Sequence, residues 1–186
     1  NKETLLDESR VDYNPVRGFY AAAGGGWNTT IHTWRNRGQE NPFFKNALLF
    51  LGYKFGGYHG VRVSAEYLQD KVWEKTGTMM ESKEFENTLF SLDYNFHILN
   101  AFAGIDPARR YDVSLYAGPS YVLGKAGNGL AWNLGTIISY NVSPKMALFY
   151  SHTVYRMDSK QYQSDQVYTK SGTFVNSLNV GLQYKF

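Results

Sequence analysis

The chain ends with Leu178-Asn179-Val180-Gly181-Leu182-Gln183-Tyr184-Lys185-Phe186. Apolar side chains occupy every even position of this stretch, and polar or small residues occupy every odd position. Because successive side chains of a β-strand point to opposite faces, the pattern predicts a strand with one continuous apolar face and one polar face. The apolar face ends in two aromatic residues. A strand of this kind needs partners, so the same alternation is expected elsewhere in the chain.

Eight runs with a period of two follow a polar leader at residues 1–16 and divide residues 17–186 into one predicted β-domain. The predicted strands are Arg17–Ile31, Phe44–Phe55, Gly60–Val72, Phe85–His97, Tyr111–Gly124, Gly129–Val142, Lys145–Met157 and Gly172–Phe186. Each run is long enough to cross a bilayer at a tilt, which takes ~9–11 residues.

The bulk composition is compatible with a membrane-spanning barrel. Aromatic residues make up 17% of the chain, yet the mean hydropathy is negative. No run approaches the ~18 consecutive apolar residues that a membrane-spanning helix needs. A β-barrel turns only alternate residues toward lipid, so its average hydropathy resembles that of a soluble protein.

Several classes of function are disfavoured by what the sequence lacks. The absence of cysteine excludes disulfides, thiolate metal sites and cysteine nucleophiles. The net charge of +3 is scattered, so no nucleic-acid partner is expected. The four histidines are far apart in sequence, and Gly24-Gly25-Gly26 is not followed by the Lys-Ser/Thr of a phosphate loop, so neither a metal nor a cofactor is expected. The polar, acidic opening predicts a mature N-terminus from which a signal peptide was removed.

The connections between the predicted strands sort into two ends. Short turns are predicted at Gly56–His59 and Asn141–Pro144, and long polar loops at His32–Phe43, Trp73–Lys83 and Asp158–Ser171. This arrangement predicts an antiparallel up-and-down barrel with short periplasmic turns and long outside loops, whose first and last strands pair. Two connections do not follow this rule. Ile98–Arg110 is long for a periplasmic turn and is expected to contain either a helical turn or a strand extension, and Lys125–Asn128 is short for an outside loop.

The interior of an eight-stranded barrel is just wide enough to be filled by side chains. Alternation assigns inward a predicted polar network of Lys54, Arg62, Glu66, Asp93 and Asn95, together with Asn46, Asn133 and Gln183. Isolated buried charges are costly, so Arg62 is expected to pair with Glu66 or Asp93. A structural polar plug is favoured over a narrow ion path because the side chains themselves fill an interior of this width.

The terminal motif of Val180, Leu182, Tyr184 and Phe186 resembles the last strand of Gram-negative outer-membrane barrels, which the barrel-assembly machinery reads. Leu92–Phe96, Tyr116–Tyr121 and the turn Tyr140–Pro144 resemble the small outer-membrane β-barrel domain common in Bacteroidota. The fold is similar to that of OmpA/OmpX-type barrels. The resemblance implies an all-β, eight-stranded antiparallel transmembrane barrel in a Gram-negative outer membrane. It also implies contact with outer-membrane lipids, lipopolysaccharide and the assembly machinery, and other outer-membrane proteins as candidate partners.

The expected function is that of a membrane-anchored scaffold or interaction protein, or an accessory subunit of a larger outer-membrane complex. One alternative is an enzyme similar to the lipid A deacylases, with His152 as general base. It is disfavoured because the serine of that family, two residues after the histidine, is Val154 here, and Ser151 points to the other face. A second alternative is a soluble lipocalin-like ligand binder with an apolar interior and a polar exterior. Aromatic residues near strand ends are expected to form interfacial girdles rather than a sugar-binding surface. They are Trp27, Trp34, Tyr53, Trp73, Trp132, Tyr184 and Phe186.

Overall fold

A computed structural model of the 186-residue chain describes residues 11–30, 44–76, 78–125, 127–157 and 173–186. Within these ranges the backbone forms eight strands and one short helix. The strands are β1 (Gly18–Thr30), β2 (Phe44–Phe55), β3 (His59–Thr76), β4 (Met79–His97), β5 (Tyr111–Gly124), β6 (Gly127–Asn141), β7 (Met146–Met157) and β8 (Thr173–Lys185). The helix, α1 (Ile98–Ala103), lies between β4 and β5. No helix in the described ranges has the length and apolar character required to cross a membrane.

Each strand pairs antiparallel with its neighbours in the chain, and β1 also pairs with β8, so the sheet closes on itself. The closing ladder runs from Tyr20 opposite Lys185 to Thr30 opposite Val175. In hydrocarbon an open edge would leave backbone N–H and C=O groups without partners, so closure is a condition for spanning a bilayer. The up-and-down barrel predicted from the sequence is confirmed.

Glycines allow the two closing strands to approach each other. A Cβ atom placed on Gly26 would lie 1.8 Å from the carbonyl oxygen of Leu178 in β8, and one on Gly24 would lie 2.5 Å from that of Val180. Both distances are far below van der Waals contact, so the backbones can pair this closely because the side chains are absent. The glycine-rich run of β1 is therefore explained by the seam of the barrel.

Alternation along the strands separates an apolar outer face from a packed interior. Leu49 and Leu134 are more than half exposed on the outer face. The predicted girdle residues on this face are Trp27, Tyr53, Trp132, Tyr184 and Phe186. Trp34 and the side chain of Trp73 lie outside the described part of the chain. An apolar exterior around buried polar groups is the reverse of the arrangement expected for a soluble lipocalin-like barrel.

The prediction of a long polar loop at Trp73–Lys83 is wrong. In the structure β3 continues to Thr76 and β4 starts at Met79, so this segment is a β-hairpin with a tight turn. The physical reason is that a strand outside the bilayer does not need an apolar face, since water solvates polar side chains on either side. The other two predicted loops, His32–Phe43 and Asp158–Ser171, lie outside the described residues.

Two further connections are settled by the structure. The link Ile98–Arg110 begins with α1, which ends at Ala103, so the helical turn is the correct one of the two expectations. Because β6 begins at Gly127, the connection after β5 consists of residues 125 and 126 alone.

The interior contains two apolar clusters that the sequence prediction did not include. The cluster nearer the short turns consists of Ala22, Leu48, Phe50, Tyr116, Ile137 and Phe149. The cluster at the opposite end consists of Leu68, Leu89, Val122, Ala131, Tyr155, Met157 and Val175. We call these the lower and the upper apolar layer. Polar side chains lie between and below them, so the core of the protein is the lumen itself.

The described end of the leader crosses the short-turn end of the barrel. The backbone N–H of Asn14 donates to the carbonyl of Pro107 (2.8 Å), and that of Gly57 donates to the carbonyl of Val16 (3.1 Å). The side chain of Asn14 is buried, so residues 11–17 close this end of the lumen.

Candidate functional site: the lumen and the protruding hairpin

Arg62 and Asp93 form a buried ion pair between adjacent strands. Arg62 Nε and Nη2 donate to the same carboxylate oxygen, Asp93 Oδ2, at 3.0 and 2.6 Å. The other carboxylate oxygen accepts from Asn133 Nδ2 at 2.8 Å. The guanidinium also stacks on the ring of Tyr116, 3.6 Å from its centroid, where a cation–π interaction adds to the attraction. The structure thus pairs Arg62 with Asp93, which is one of the two expected partners.

Glu66 lies deeper, between the two apolar layers, and its partners are neutral. Its carboxylate accepts hydrogen bonds from the hydroxyls of Tyr155 and Ser177 and, at 2.7 Å, from Asn179 Nδ2. Asn46 extends the cluster by donating to Ser177 Oγ at 2.8 Å. Donors from β7 and β8 therefore converge on one acidic group, and this fastens β3 to two strands across the lumen.

Lys54 and Asn95 lie nearer the short-turn end. Lys54 Nζ donates to Asn14 Oδ1 at 2.9 Å and lies 3.8 Å from Asp112 Oδ2. Asn95 Nδ2 donates to the hydroxyl of Tyr20 at 2.8 Å. All five residues of the predicted polar network are buried, with 1–6% of their surface exposed. Their hydrogen bonds belong to separate clusters at different depths rather than to one continuous network.

The upper apolar layer separates the polar interior from the end of the barrel at which the hairpin projects. Leu89 and Val122 have no exposed surface, and Met157 and Val175 are 1% exposed. Moving an unpaired ion through such a region requires its hydration to be lost, which costs several kcal/mol even after the protein relaxes. Within the described residues, the lumen is therefore a filled core and not a water-filled pore.

Sequence reasoning missed interior residues whose side chains are apolar or aromatic. Tyr116 is an example. Its hydroxyl shares a hydrogen bond of 2.6 Å with Thr153 Oγ1, and its ring supports the guanidinium of Arg62. A usable signal was present: Ser114 and Ser120 have the same parity as Tyr116 in β5, and both are buried.

His152 lies on the outer face of β7, partly covered by neighbouring side chains. Its Nε2 atom is 3.4 Å from Asn176 Oδ1, so its partner is an amide and not the carboxylate that would orient a general base. Ser151 has no exposed surface and points into the lumen. Val154 follows on the outer face. Among the described residues, no group of three or more His, Asp or Glu side chains is arranged to hold a metal ion.

The residues of the terminal motif line the outer face of the closing strand. Val180, Leu182 and Tyr184 are each 41–50% exposed, and Phe186 is 72% exposed. The rings of Tyr184 and Phe186 meet edge to face with centroids 5.2 Å apart. The motif therefore presents an uninterrupted apolar and aromatic stripe where the barrel closes.

The hairpin formed by the ends of β3 and β4 extends past its neighbours. The ladder of β2 with β3 ends at Asn46 opposite Leu68, and that of β4 with β5 ends at Asn87 opposite Gly124. Beyond these points β3 and β4 continue to pair with each other up to Thr76. At ~3.3 Å per residue the projecting part is about 25 Å long. Within the described residues its two outer edges have no strand partner.

Comparison with known proteins gives the fold. No protein-family model matches the chain, and no curated protein matches it. The chain is similar to the solved structures of Neisserial surface protein A (14% identity, TM-score 0.60), a major outer membrane protein from Thermus thermophilus (17%, 0.61) and the outer membrane protein OprG from Pseudomonas aeruginosa (12%, 0.61). The alignments cover 91%, 92% and 94% of this chain and 97%, 100% and 98% of those chains. The protein therefore has the fold of a transmembrane β-barrel of the outer-membrane type, in agreement with the localisation predicted from the sequence.

Proposed function

We propose that the protein is a membrane-anchored interaction protein whose barrel holds the β3–β4 hairpin outside the cell. The observation that carries the proposal is the projection of this hairpin beyond the last paired residues of β2 and β5. The role is that of a scaffold or an accessory subunit of a larger outer-membrane complex. It includes contact with lipids and lipopolysaccharide, and assembly through the machinery that reads the terminal motif. The proposal also includes a family relationship to the small outer-membrane barrel domain of Bacteroidota, which the sequence motifs resemble.

A filled lumen supports an anchoring role over transport. The upper apolar layer and the ion pair of Arg62 with Asp93 occupy the space that a solute would cross. An eight-stranded barrel leaves no room for an aqueous channel beside such side chains.

The projecting hairpin supports binding of an extended polypeptide. A strand at the edge of a sheet presents unpaired N–H and C=O groups, and a partner can add a strand to them. The sequence from Asp70 to Phe85 contains both acidic and basic residues and little aliphatic surface, which keeps such an edge soluble when no partner is bound.

The proposed role is non-enzymatic. The partner of His152 is an amide, and the residue two positions later is Val154, so nothing in this part of the outer wall favours a hydrolase. Measuring the acylation of lipid A in cells with and without His152→Ala tests the point. A change in acylation would favour the deacylase-like alternative.

Site-specific photocrosslinking tests the proposal. A photoreactive residue at Thr78, at the tip of the hairpin, is expected to give protein adducts on intact cells, whereas one at Val142, in a turn at the opposite end, is not. Single-channel recording of the wild-type protein in planar bilayers should show no open state. Equal adducts at both ends, or porin-like conductance, would contradict the proposal.

A further inference from the structure

A cavity of about 40 Å³ lies at the short-turn end of the lumen, beneath the lower apolar layer and behind residues 11–17. Its walls include Lys54, Lys185, Arg62, His97 and Asp112. The volume is sufficient for a few water molecules or for one small ion with a water molecule. The cavity plays no part in the proposed role of the hairpin at the opposite end.

The positive charges around this cavity are not fully balanced. Arg62 is neutralised by Asp93, which lies behind it. Of the described residues that line the cavity, Asp112 is then the one carboxylate that faces the two lysines. It lies 3.8 Å from Lys54 Nζ and also accepts from His97 Nδ1 at 2.7 Å.

Lys185 is held by neutral oxygens. Its ammonium donates to the backbone carbonyl of Tyr13 and to Asn141 Oδ1. The charges of Lys54 and Lys185 act on each other as well as on Asp112, so the two ammonium groups share one chamber. A buried charge without a counter-ion is unfavourable, and two cations facing one anion leave one positive charge in excess.

The cavity walls also contain buried donors without a partner. Arg62 Nη1 and Asn14 Nδ2 have no hydrogen-bond acceptor within the described structure, and both side chains are more than nine-tenths buried. Both residues line the cavity. The walls also carry buried acceptors without a partner, Asn95 Oδ1 and Asp112 Oδ1, and the unpaired ring nitrogen His97 Nε2. Unsatisfied buried polar groups are rare in folded proteins and indicate bound groups that both accept and donate hydrogen bonds. The excess positive charge and the free N–H donors fit a small anion, and an accompanying water molecule fits the free acceptors.

We propose that this chamber binds one small monovalent anion, such as chloride, beside the ammonium groups of Lys54 and Lys185. The anion supplies the missing negative charge and accepts hydrogen bonds from the free donors. It thereby fixes residues 11–17 across the barrel end, because Lys54 and Lys185 both bond to that segment. Larger organic anions are excluded by the volume.

The first test is thermal unfolding of the purified barrel in nonionic detergent, with chloride exchanged for gluconate at constant ionic strength. Chloride is expected to raise the unfolding midpoint in a saturable way, by about 3–6 °C at ten times its dissociation constant. Bromide should act in the same way, and crystals grown in bromide should show an anomalous peak within hydrogen-bonding distance of Lys54 or Lys185. Absence of both the chloride effect and the peak overturns the proposal and leaves a chamber filled with water.

Asn14→Asp provides the sharpest variant, since it places a carboxylate where Asn14 Oδ1 now accepts from Lys54. This variant is expected to be more stable than the wild type in gluconate and to lose its response to chloride. The matched control is Asn128→Asp, the same chemical change at an exposed position at the opposite end, which should keep the full response. A chloride response that persists in Asn14→Asp would place the anion elsewhere and overturn the assignment. Thr78 adducts are unaffected by any of these results, so the two proposals fail independently.

Discussion

Removing the charge of Asp93 should destabilise the barrel more than any other isosteric change in the lumen. Asp93→Asn keeps the size of the side chain, but Arg62, whose exposed surface is 4%, then has no carboxylate bonded to it. Both bonds of the guanidinium end on one oxygen, at 3.0 and 2.6 Å, so the substitution removes its directly bonded counter-charge. Breaking one partner of a buried pair costs about 3–5 kcal/mol. Because the amide oxygen still accepts one hydrogen bond, we expect the lower end of this range, about 3 kcal/mol.

The companion variant Arg62→Met leaves Asp93 with Asn133 as its remaining donor and should cost a similar amount. When both changes are combined, neither side chain carries an unpaired charge. The double variant should then lose about 1–2 kcal/mol, chiefly from the stacking of the guanidinium on Tyr116. The double-mutant cycle is therefore expected to give a coupling energy of at least 2 kcal/mol.

The free energy of unfolding is measured by urea titration of the barrel folded in lipid vesicles, followed by tryptophan fluorescence. The slope of the titration should stay constant, so that a shift in midpoint reports stability. Lys145→Met, at an exposed position in the turn before β7, serves as the control and should change stability by less than about 0.5 kcal/mol. If both single variants cost less than 1 kcal/mol and their effects add, the guanidinium is hydrated. The lumen would then be wet, and the argument against conduction would fail.

Three further changes test other parts of the structure. Gly26→Ala places a Cβ atom 1.8 Å from a carbonyl oxygen of β8 and should prevent stable closure, seen as loss of the heat-modifiable band on gels. Gly25→Ala, whose Cβ atom would lie 3.0 Å from the carbonyl oxygen of Asn46 in β2, should retain the band. Phe186→Ala should lower the amount of assembled barrel in cells, while Phe102→Ala, 87% exposed on α1, should not. His152→Ala should leave the stability within about 1 kcal/mol of the wild type in the same urea titration, because its one described polar contact is a long bond to an amide.

The strands that cross the membrane could be predicted closely from the sequence. Phe44–Phe55 and Tyr111–Gly124 have the predicted bounds, and the predicted first and eighth strands pair to close the barrel. The reason is that lipid imposes one strict requirement on every spanning strand, namely apolar side chains at alternate positions. Few structures apart from a two-faced strand produce a period of two that extends over a dozen residues.

The hairpin could not be predicted in this way because water imposes no such requirement. Between Asp70 and Phe85 polar residues occupy both odd and even positions of the sequence, so no period marks the ladder that the structure shows. A short connection at Gly77–Thr78 was the available signal, and it was hidden inside a segment interpreted as a loop.

The interior was predicted for Lys54, Arg62, Glu66 and Asp93, but three further ionisable residues, His97, Asp112 and Lys185, and the two apolar layers were missed. In Ala47-Leu48-Leu49-Phe50-Leu51 both faces are apolar, so sequence alone gives no reason to place Leu48 and Phe50 inside. The structure buries both of them in the lower apolar layer. The partners of Glu66 were also beyond reach, because Tyr155 and Ser177 come from strands about 90 and 110 residues away. Their contact depends on the stagger of the whole barrel.

The two apolar layers explain how a narrow barrel can tolerate ionised groups in its core. Near the apolar layers water is excluded, which strengthens the attraction within a charged cluster and makes any unpaired group costly. This is why Asp93 accepts hydrogen bonds from both β3 and β6, and Glu66 from both β7 and β8. The chamber beside Lys54 and Lys185 differs from both clusters, because two ammonium groups face one carboxylate there. Arg62 is balanced by Asp93, and Glu66 is held by converging neutral donors, whereas the excess cation at the end covered by the N-terminal segment is best balanced by an anion from solution.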